Sequence, residues 1–352
     1  MSPAKRLVLA FPGDLATRTG GYLYDRRLVR ELEARGWRIE LLSLSSRFPF
    51  PAAEDLAAAE RVLECLDRGS TVMIDGLALG AMPTVAEGAA ARRALVALIH
   101  HPLCLETGLS SAQAAVLAAS ERAALASVRA VIVTSGHTAA SLQAMFGISP
   151  EVIAVAPPGT DPAPAAVPSV DGRIRLLCVG TVTRRKGHLV LVKALADLDG
   201  PWELRCAGAL DRDPAATAEL REAIVSHALD DRVRLLGELP EQQLAAQYAR
   251  TDLLVSASFH EGYGMALAEA LAHGIPVIAA AGGAVVETVP PEAGLLVPPG
   301  DYEALRLAIR RFMREPGLAG RLRSGALAAR SSLPSWADTA ALVEQALLGA
   351  SV

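Results

Sequence analysis

Two glutamates separated by seven residues form the sharpest chemical signal in this 352-residue sequence. Glu261 follows a predicted strand in a glycine-containing loop, and Glu269 lies on a helix predicted to begin near Gly264. The first amides of a helix lack intrahelical partners and carry the positive end of its dipole, so they are suited to hold a phosphate. Glu269, further along the helix, is then placed to accept hydrogen bonds from neutral hydroxyls such as those of a ribose. The alternative is a loop charge at 261 and a solvated helix residue at 269, although the neighbours of Glu269 are mostly alanine and leucine.

Three cations form a second candidate site, in the turn after the strand that ends at Val179. They are Arg184, Arg185 and Lys186, in a turn that begins at Gly180. An arginine supplies a planar fork of donors and a lysine a point charge, which together suit the clamping of a diphosphate. A solvated basic turn is the alternative for so short a run of charge. Position favours binding, because the turn follows the first strand of the second predicted domain.

The first half of the chain offers weaker candidates. Gly20 and Gly21 open a helix without the full GxGxxG pattern, so they do not predict a dinucleotide site. Adjacent glycines still let an anion or a sugar approach the backbone closely, and an ordinary tight turn fits them equally well. Further candidates gather in the loop after the strand 94–99, namely His100, His101 and the weaker Glu106. No third residue at metal-ligand spacing accompanies the histidines, so no metal site is predicted.

Strands that alternate with helices must position these residues. Short apolar runs separated by helical sequence recur up to residue 134, and the same alternation restarts at residue 173. Such alternation predicts parallel sheets covered on both faces, with ligands beyond the carboxyl ends of the strands. Five prolines within residues 156–170 indicate a linker. The predicted fold is therefore α/β, with two Rossmann-like, doubly wound domains facing a central cleft.

Composition excludes several classes of protein. A net charge of -4 and a pI near 6.0 argue against nucleic-acid binding, which needs a basic stripe. Four cysteines lie far apart without CxxC spacing, which favours a reducing compartment. No signal-peptide core or membrane-length apolar run occurs, so a cytoplasmic protein is expected, and no basic amphipathic helix supports contact with a membrane surface. Only three of the 34 basic residues are lysines, at positions 5, 186 and 193.

Longer motifs resemble the retaining nucleotide-sugar glycosyltransferases of family 4, which have the two-domain GT-B fold. The resemblance covers nearly the whole chain, and its most specific part is the Glu-x7-Glu signature within HEGYGMALAEALAHGIPV. Supporting matches are VGTVTRRKG, APPGTD and GLLVPPGDYEAL. The resemblance implies an acceptor-side domain over residues 1–158, a linker over 159–172 and a donor domain over 173–334. It further implies that the last helix, 335–352, crosses back onto the first domain.

The resemblance implies a role for each candidate. Glu261 would contact the donor sugar, Glu269 would hold the ribose, and Lys186 with Arg185 would neutralise the diphosphate. Gly20 and Gly21 would bring backbone amides towards the phosphate or the acceptor. The remaining residues would bind the donor, namely Gly180, Tyr263, Gly264, Met265 and Ala266, of which the amides of 263–266 would face its phosphates. His100 matches a strand-end histidine that touches the donor sugar, while His101 stands where many members carry Asp. Thr181 stands where the family commonly has Arg, a charge that Arg184 or Arg185 would replace.

The implied activity is a hexosyltransferase-type transfer, with retention, from a nucleoside-diphosphate sugar to a hydroxyl acceptor. No metal or other cofactor is required, because fixed cations stabilise the leaving group. The sequence leaves open whether the donor carries uridine, guanosine or adenosine, and it does not specify the acceptor or the oligomeric state. The alternatives are a sugar phosphorylase or a nucleotide-sugar epimerase of the same fold, and a non-catalytic nucleotide-sugar-binding protein.

Overall fold

The computed structural model describes residues 5–106 and 108–350, and the chain divides into two compact units. The first unit comprises Met1–Gly159 and Pro334–Val352, and the second comprises Thr160–Leu333. The outermost residues of the predicted first domain, 1–4 and 351–352, lie outside the described residues, as does Thr107 in the loop that contains Glu106.

A parallel sheet forms the centre of the first unit. Its strands are β1 (Arg6–Pro12), β2 (Arg38–Leu44), β3 (Thr71–Asp75), β4 (Ala94–Ile99), β5 (Ala130–Val133) and β6 (Ile153–Val155). They lie in the order β2-β1-β3-β4-β5-β6, and each pair of neighbours is parallel. The helices around them are α1 (Gly20–Ala34), α2 (Ala53–Glu64), α3 (Gly76–Leu79), α4 (Pro83–Ala90), α5 (Ser111–Leu125) and α6 (Gly136–Phe146).

The second unit repeats this architecture. Its strands are β7 (Ile174–Val179), β8 (Trp202–Ala207), β9 (Val233–Gly237), β10 (Leu253–Ser256), β11 (Val277–Ala280) and β12 (Gly294–Val297). They form a parallel sheet in the order β12-β11-β10-β7-β8-β9. The helices are α7 (His188–Ala196), α8 (Pro214–Ser226), α9 (Glu241–Tyr248), α10 (Met265–Ala272), α11 (Val285–Thr288), α12 (Tyr302–Arg314) and α13 (Leu318–Ala329). The prediction of two Rossmann-like α/β domains is confirmed.

Burial explains why these segments form strands and helices. Every residue of β3, β4 and β11 is buried, as expected for strands covered by helices on both faces. In α1 the buried residues Tyr24, Leu28 and Leu32 recur every four positions, which places them on one face of the helix. No helix of the described residues is long and apolar enough to cross a membrane.

Each sheet has a point where the strand order reverses. In the first unit β1 lies between β2 and β3, and in the second unit β7 lies between β8 and β10. The connections that leave two such neighbouring strands run to opposite faces of the sheet, which opens a crevice at their carboxyl ends. In the second unit this crevice lies between the segments 180–187 and 257–264, which carry the two strongest sequence motifs.

The proline-rich segment after β6 has no regular secondary structure up to the start of β7. Residues 160–173 belong to the second unit, and their backbone is bonded to it. The N–H of Ala166 donates to His273 O at 2.8 Å, and the N–H of Val167 donates to Ala249 O at 2.9 Å. The side chain of Ala166 is buried. This part of the segment therefore packs along the second unit.

The C-terminal helix α14 (Trp336–Ala350) belongs to the first unit. The ring of Trp336 meets the ring of Tyr24 edge to face, with centroids 5.8 Å apart. Glu344 accepts from Lys5 Nζ at 2.6 Å, from Arg35 Nε at 2.7 Å and from Trp37 Nε1 at 2.9 Å. One carboxylate thus ties α14 to the residue before β1, to the end of α1 and to the residue before β2.

Replacing Glu344 by glutamine is expected to destabilise the first unit by about 1 to 2 kcal/mol at pH 7, the scale of partly screened hydrogen bonds to a charged group. The hydrogen bond from Lys5 lowers the pKa of Glu344 to about 2, with Trp37 and Arg35 also lowering it and burial opposing them. Because this folded-state pKa lies below the ordinary value, the stabilisation is present above about pH 4.5 and is lost as the pH falls towards 2. Thermal unfolding of the wild type and E344Q at pH 7 and pH 3 checks this.

The difference in melting temperature between the two proteins should shrink at the lower pH. The exposed Glu33, in the last turn of α1, provides the control variant E33Q. Equal effects of E33Q and E344Q, or an effect of E344Q that does not depend on pH, would contradict the assignment.

Candidate functional site

In the second unit, the segments after β7 and β10 bring Lys186 and Glu261 into contact. Nζ of Lys186 donates to both carboxylate oxygens of Glu261, at 2.7 and 2.9 Å. Nη1 of Arg185 donates to the carbonyl oxygen of His260 at 2.8 Å and lies 3.9 Å from Oε2 of Glu261. Residues from two separate sequence motifs, 75 positions apart, therefore form one charged cluster.

Backbone contacts hold the basic turn against the end of β10. A side chain at Gly187, where φ is +65°, would place its Cβ 2.1 Å from Ala257 O, so only glycine allows this approach. The N–H of Phe259 donates to Arg185 O at 2.8 Å, and Oγ of Ser258 donates to the same oxygen at 3.2 Å. The geometry of the turn is therefore set by main-chain contacts as well as by the ion pair.

A glycine pair after β11 holds the other side of the 259–261 segment. Glu261 N–H donates to Gly282 O at 3.2 Å, and Ala284 N–H donates to Glu261 O at 2.9 Å. A Cβ on Gly282 would lie 2.1 Å from Phe259 O, and one on Gly283 would lie 2.2 Å from Glu261 O. No role was predicted for these glycines, although two adjacent glycines one residue after a strand are a signal of close backbone approach.

Replacing Gly282 by alanine is expected to cost about 2 kcal/mol or more, because a backbone oxygen cannot yield as a flexible side chain does. It should also displace Glu261 and reduce any binding that depends on it. Gly320 in α13 offers the matched control, since nothing lies within 4 Å of a Cβ there. G320A should be neutral or stabilising by about 0.5 to 1 kcal/mol, as for alanine in a helix. Denaturant unfolding measures both, and equal stabilities of the two variants would refute the steric argument.

The cluster carries surplus positive charge. Burial alone would raise the pKa of Glu261, but the charges of Lys186 and Arg185 outweigh burial and hold the pKa below its ordinary value. One carboxylate thus faces two cations, and these side chains are only 12%, 21% and 22% exposed for Glu261, Lys186 and Arg185. Because partly desolvated charges are weakly screened, the remaining positive charge is available to an anionic ligand.

The other residues of the basic turn have distinct surroundings. A Cβ on Gly180 would lie 3.4 Å from Cδ of Lys186, so this glycine lies beneath the lysine's aliphatic stem. Arg184 forms an ion pair with Glu219 of α8. Of the two arginines that the sequence analysis left open, Arg185 is the one beside Lys186 and Glu261.

The first turn of α10 follows directly after Glu261. Gly264, with φ of +94°, is the cap residue, and no side chain caps the helix. Its carbonyl oxygen accepts from the N–H groups of Leu267 and Ala268. The amides of Met265 and Ala266 are the first of the helix, so they lack partners within it. Oγ1 of Thr288 donates to the carbonyl oxygen of Tyr263 at 2.5 Å, which fixes the entry to the turn.

Glu269 has a partner that the sequence analysis missed. Tyr248 Oη donates to Oε2 of Glu269 at 2.8 Å, and the tyrosine ring stacks on His273 with centroids 5.1 Å apart. Burial, together with the charge of Glu269, raises the pKa of Tyr248 well above its ordinary value, so the phenol stays a donor. Glu269 is half-buried and oriented by this bond. A tyrosine at the end of α9, shortly before a buried strand, was the available signal.

In the first unit, the predicted residues Gly21 and His100 lie together. A Cβ on Gly21 would be 3.2 Å from Cδ2 of His100, so the missing side chain makes room for the ring. Gly20 begins α1, which Thr19 caps by accepting the N–H of Tyr22. In the following loop, Nε2 of His101 lies 3.5 Å from Oε2 of Glu106.

Two buried aspartates beside His100 were not foreseen. Nε2 of His100 lies 3.1 Å from Oδ1 of Asp25 and 3.7 Å from Oδ2 of Asp75, and the aspartates are 0% and 1% exposed. Among the described residues, this is the set of acidic and histidine side chains close enough to share a cation, with ligand atoms within 4.8 Å of one another. Sequence spacing did not reveal this group, because Asp25 and Asp75 lie on separate elements far from His100 in the chain. Hydrogen bonds account for the proximity, because Asp25 bonds the ring and Asp75 accepts the N–H of Leu77 at 2.8 Å.

Two family models match the chain. The model described as Glycosyl transferases group 1 matches residues 161–328, and the one described as Glycosyltransferase Family 4 matches residues 76–164. Together they include both motifs of the second unit and, in the first unit, His100 and the loop after it.

Individual proteins of known sequence or structure are also similar to this chain. A lipopolysaccharide core biosynthesis mannosyltransferase of Rhizobium leguminosarum bv. viciae is 31% identical over 198 residues, which are 54% of this chain and 56% of that protein. The chain thus spans little more than half the length of this relative. Sucrose-phosphate synthase from Thermosynechococcus elongatus has a TM-score of 0.81 at 25% identity, covering 97% of this chain and 98% of that one. HepE of Anabaena, solved with UDP and glucose, has a TM-score of 0.76 at 18% identity, covering 97% and 99%.

Proposed function

We propose that this chain, which belongs to the family 4 glycosyltransferases with the GT-B fold, is a sugar-transferring enzyme. It would transfer a sugar from a nucleoside-diphosphate sugar to a hydroxyl acceptor. The observation that carries the proposal is the cluster of Lys186, Arg185 and Glu261 beside the uncapped first turn of α10. Two cations and a set of helix amides form a preorganised environment for the negative charge of a departing diphosphate.

The chemistry follows from where charge develops. When the bond between the sugar's anomeric carbon and the β-phosphate oxygen breaks, that oxygen gains negative charge, and Lys186 and Arg185 stabilise it. The anomeric carbon becomes electron-poor, and Glu261 lies close enough to the cations to contact the sugar's hydroxyls. The acceptor oxygen bonds to that carbon from the face that the diphosphate leaves, and its proton passes to the departing phosphate oxygen. The configuration is thereby retained, and fixed cations take the role that a metal ion has elsewhere.

The nucleotide would be held by the remaining residues of the second unit. Glu269, oriented by Tyr248, is suited to accept hydrogen bonds from ribose hydroxyls. The amides of Met265 and Ala266 would donate to the phosphates. HepE, which shares the fold, was solved with UDP and glucose, and this supports a nucleotide-sugar donor here.

In the first unit, we assign His100, Gly20 and Gly21 to the donor's sugar or phosphate, as the family resemblance implies. The pair of His101 and Glu106 is assigned to the acceptor side. His100 lies beside two aspartates, whereas Glu261 lies beside two cations, so the environment suited to a diphosphate is in the second unit.

The proposal is tested by incubating the protein with UDP-, GDP- and ADP-linked sugars, each labelled in the sugar, and separating the products. Thermal unfolding first selects the donor, because a bound ligand raises the melting temperature by mass action. Transfer predicts that free nucleoside diphosphate and a glycosylated hydroxyl compound appear in equal amounts, also in the presence of EDTA.

The alternatives have distinct outcomes in the same experiment. Release of a sugar phosphate only when inorganic phosphate is added would indicate a phosphorylase, and an altered sugar still linked to the nucleotide would indicate an epimerase. Stabilisation without any product over a wide range of acceptors would indicate a binding protein. Absence of stabilisation by every nucleotide would contradict the donor site itself.

A further inference from the structure

The buried aspartates beside His100 have no part in the function proposed above. We propose that Asp25 and Asp75 are positioning residues, which fix the ring of His100 through Nε2 and keep it an imidazolium, so that Nδ1–H is offered to a substrate oxygen. The geometry concerns the first unit alone. Only the identity of the substrate, a sugar or phosphate oxygen, rests on the proposed function.

Distances define how the ring is held. Oδ1 of Asp25 lies 3.1 Å from Nε2, which is hydrogen-bonding distance. Oδ2 of Asp75 lies 3.7 Å from the same nitrogen. The ring of Tyr24 meets the imidazole edge to face at 5.3 Å, and Gly21 borders its Cδ2 atom. With Nε2 directed at two carboxylates, the ring has no freedom to flip without losing its charged partners. No described residue bonds Nδ1, and 23% of the side chain is exposed.

The charges that face His100 come from two elements, α1 and β3. Asp25 of α1 is fully buried, and its Oδ2 has no hydrogen-bond partner among the described residues. Asp75, at the end of β3, uses Oδ1 to accept the N–H of Leu77. Arg26 of α1 is a neighbouring cation, but its Nη1 donates to the carbonyl oxygens of Leu15 and Thr17. One imidazole therefore faces two buried acids. As an imidazolium it compensates the charge of Asp25, which bonds it directly, while burial favours the protonated form of Asp75.

The two aspartates also favour the protonated form of His100. Burial lowers the pKa of His100, but the charge and hydrogen bond of Asp25 and the charge of Asp75 outweigh burial, so the pKa is raised. Burial and the charge of Asp25 raise the pKa of Asp75 to about 7, with His100 opposing. The imidazolium is thereby retained above the pH at which an ordinary histidine loses its proton. A histidine held in this state is a cationic donor rather than a general base.

The test combines three variants with a readout that needs no activity. D25N and D75N remove one carboxylate charge each at nearly constant shape. D55N is the matched control, because Asp55 is also a buried aspartate of the first unit but pairs with Arg47 and the N–H of Ala52. The protein has seven histidines, and the ring signals of His100 are identified by their loss in H100Q. Nitrogen NMR of the histidine-labelled protein then follows both ring nitrogens between pH 5 and 9.

We expect both nitrogens of His100 to be protonated at pH 7 in the wild type and in D55N. In D25N the midpoint of the titration should fall by at least one pH unit, which is a tenfold change in the proton affinity. D75N should lower it by a smaller amount, because Asp75 is further from Nε2. Unchanged titration in both D25N and D75N, or an equal change in D55N, would overturn the proposal.

Kinetics supply the second readout. With a donor identified, kcat/KM of D25N should match the wild type within about threefold near pH 6 and fall about tenfold at pH 8, where His100 is neutral in the variant. A loss of equal size at both pH values would overturn the proposal in favour of a structural role. Loss of wild-type activity in EDTA, restored by Mn²⁺ but not in D25N, would overturn it in favour of a metal site. If the NMR titration moves as expected but no nucleotide sugar is turned over, the inference stands and the proposed function fails.

Discussion

Replacing Lys186 by alanine is expected to lower turnover of the nucleotide-sugar donor about 100- to 1000-fold, the scale of one preorganised group at a developing charge. The lysine is the closest cation to Glu261 and lies at the carboxyl end of β7, where the crevice of the second sheet opens. Because Lys186 would act on the diphosphate both before and after it departs, the affinity for the free nucleoside diphosphate should fall as well. Steady-state kinetics and calorimetric titration with the diphosphate measure the two effects.

The chain provides a control for this variant. Lys193 lies on α7, seven residues after Lys186 in the chain, and is exposed. K193A should change neither turnover nor affinity. Since K186A leaves a nearly buried carboxylate without its main partner, circular dichroism and thermal unfolding must show that the variant is folded. A folded K186A with the kinetics of K193A would end the diphosphate assignment.

Replacing Glu261 by glutamine is expected to lower kcat about 100-fold while the affinity for the nucleoside diphosphate stays within about threefold or becomes tighter. Lys186 and Arg185 hold the pKa of this carboxyl below its ordinary value against the effect of burial, so the wild-type side chain is ionised at neutral pH. The amide keeps the shape but removes the negative charge that would face the electron-poor sugar. It also removes the negative charge that Lys186 and Arg185 face, which favours a bound diphosphate.

Glu219 gives the matched control, since it pairs with Arg184 at the other end of the same basic turn. E219Q removes a carboxylate from an arginine of that turn without touching Lys186, so its kcat should stay within about twofold of the wild type. If kcat and diphosphate affinity fell together in E261Q, Glu261 would serve only to position Lys186. A joint loss of kcat and diphosphate affinity would therefore contradict the proposal that Glu261 contacts the donor sugar.

Much of the fold could be predicted because a buried strand needs apolar residues at consecutive positions, which the sequence shows directly. The runs 94–99 and 277–280 are apolar at every position, as strands covered on both faces must be, and they form β4 and β11 at those bounds. The strand β6 was not predicted, since it has three residues, none of them buried, and lies at the edge of its sheet. An edge strand with little burial leaves no apolar run to detect.

The candidate site residues were predicted one by one from the sequence, but the contacts between them were not. Glu269 was predicted to accept hydrogen bonds from ligand hydroxyls, whereas its bond from Tyr248 was not predicted, since this tyrosine comes from α9, a separate element 21 positions earlier in the chain. Asp25 lies three and seven residues before the buried Leu28 and Leu32, a spacing that puts it on the same face of α1. That spacing was a usable signal for a buried charge, whereas its proximity to His100 depends on where β4 lies in the sheet.

The sequence by itself determined most of the strands and helices and the chemistry of the side chains at their ends, because each of these depends on neighbours within a few residues. It placed Lys186 in a basic turn and Glu261 in a glycine-containing loop, with no link between them. Only the tertiary structure decided that they meet, since β7 pairs with β10 although β8 and β9 intervene in the chain. Tertiary contacts also distinguish the three lysines of the chain, because Lys5 bonds Glu344 of α14, Lys193 is exposed and Lys186 bonds Glu261.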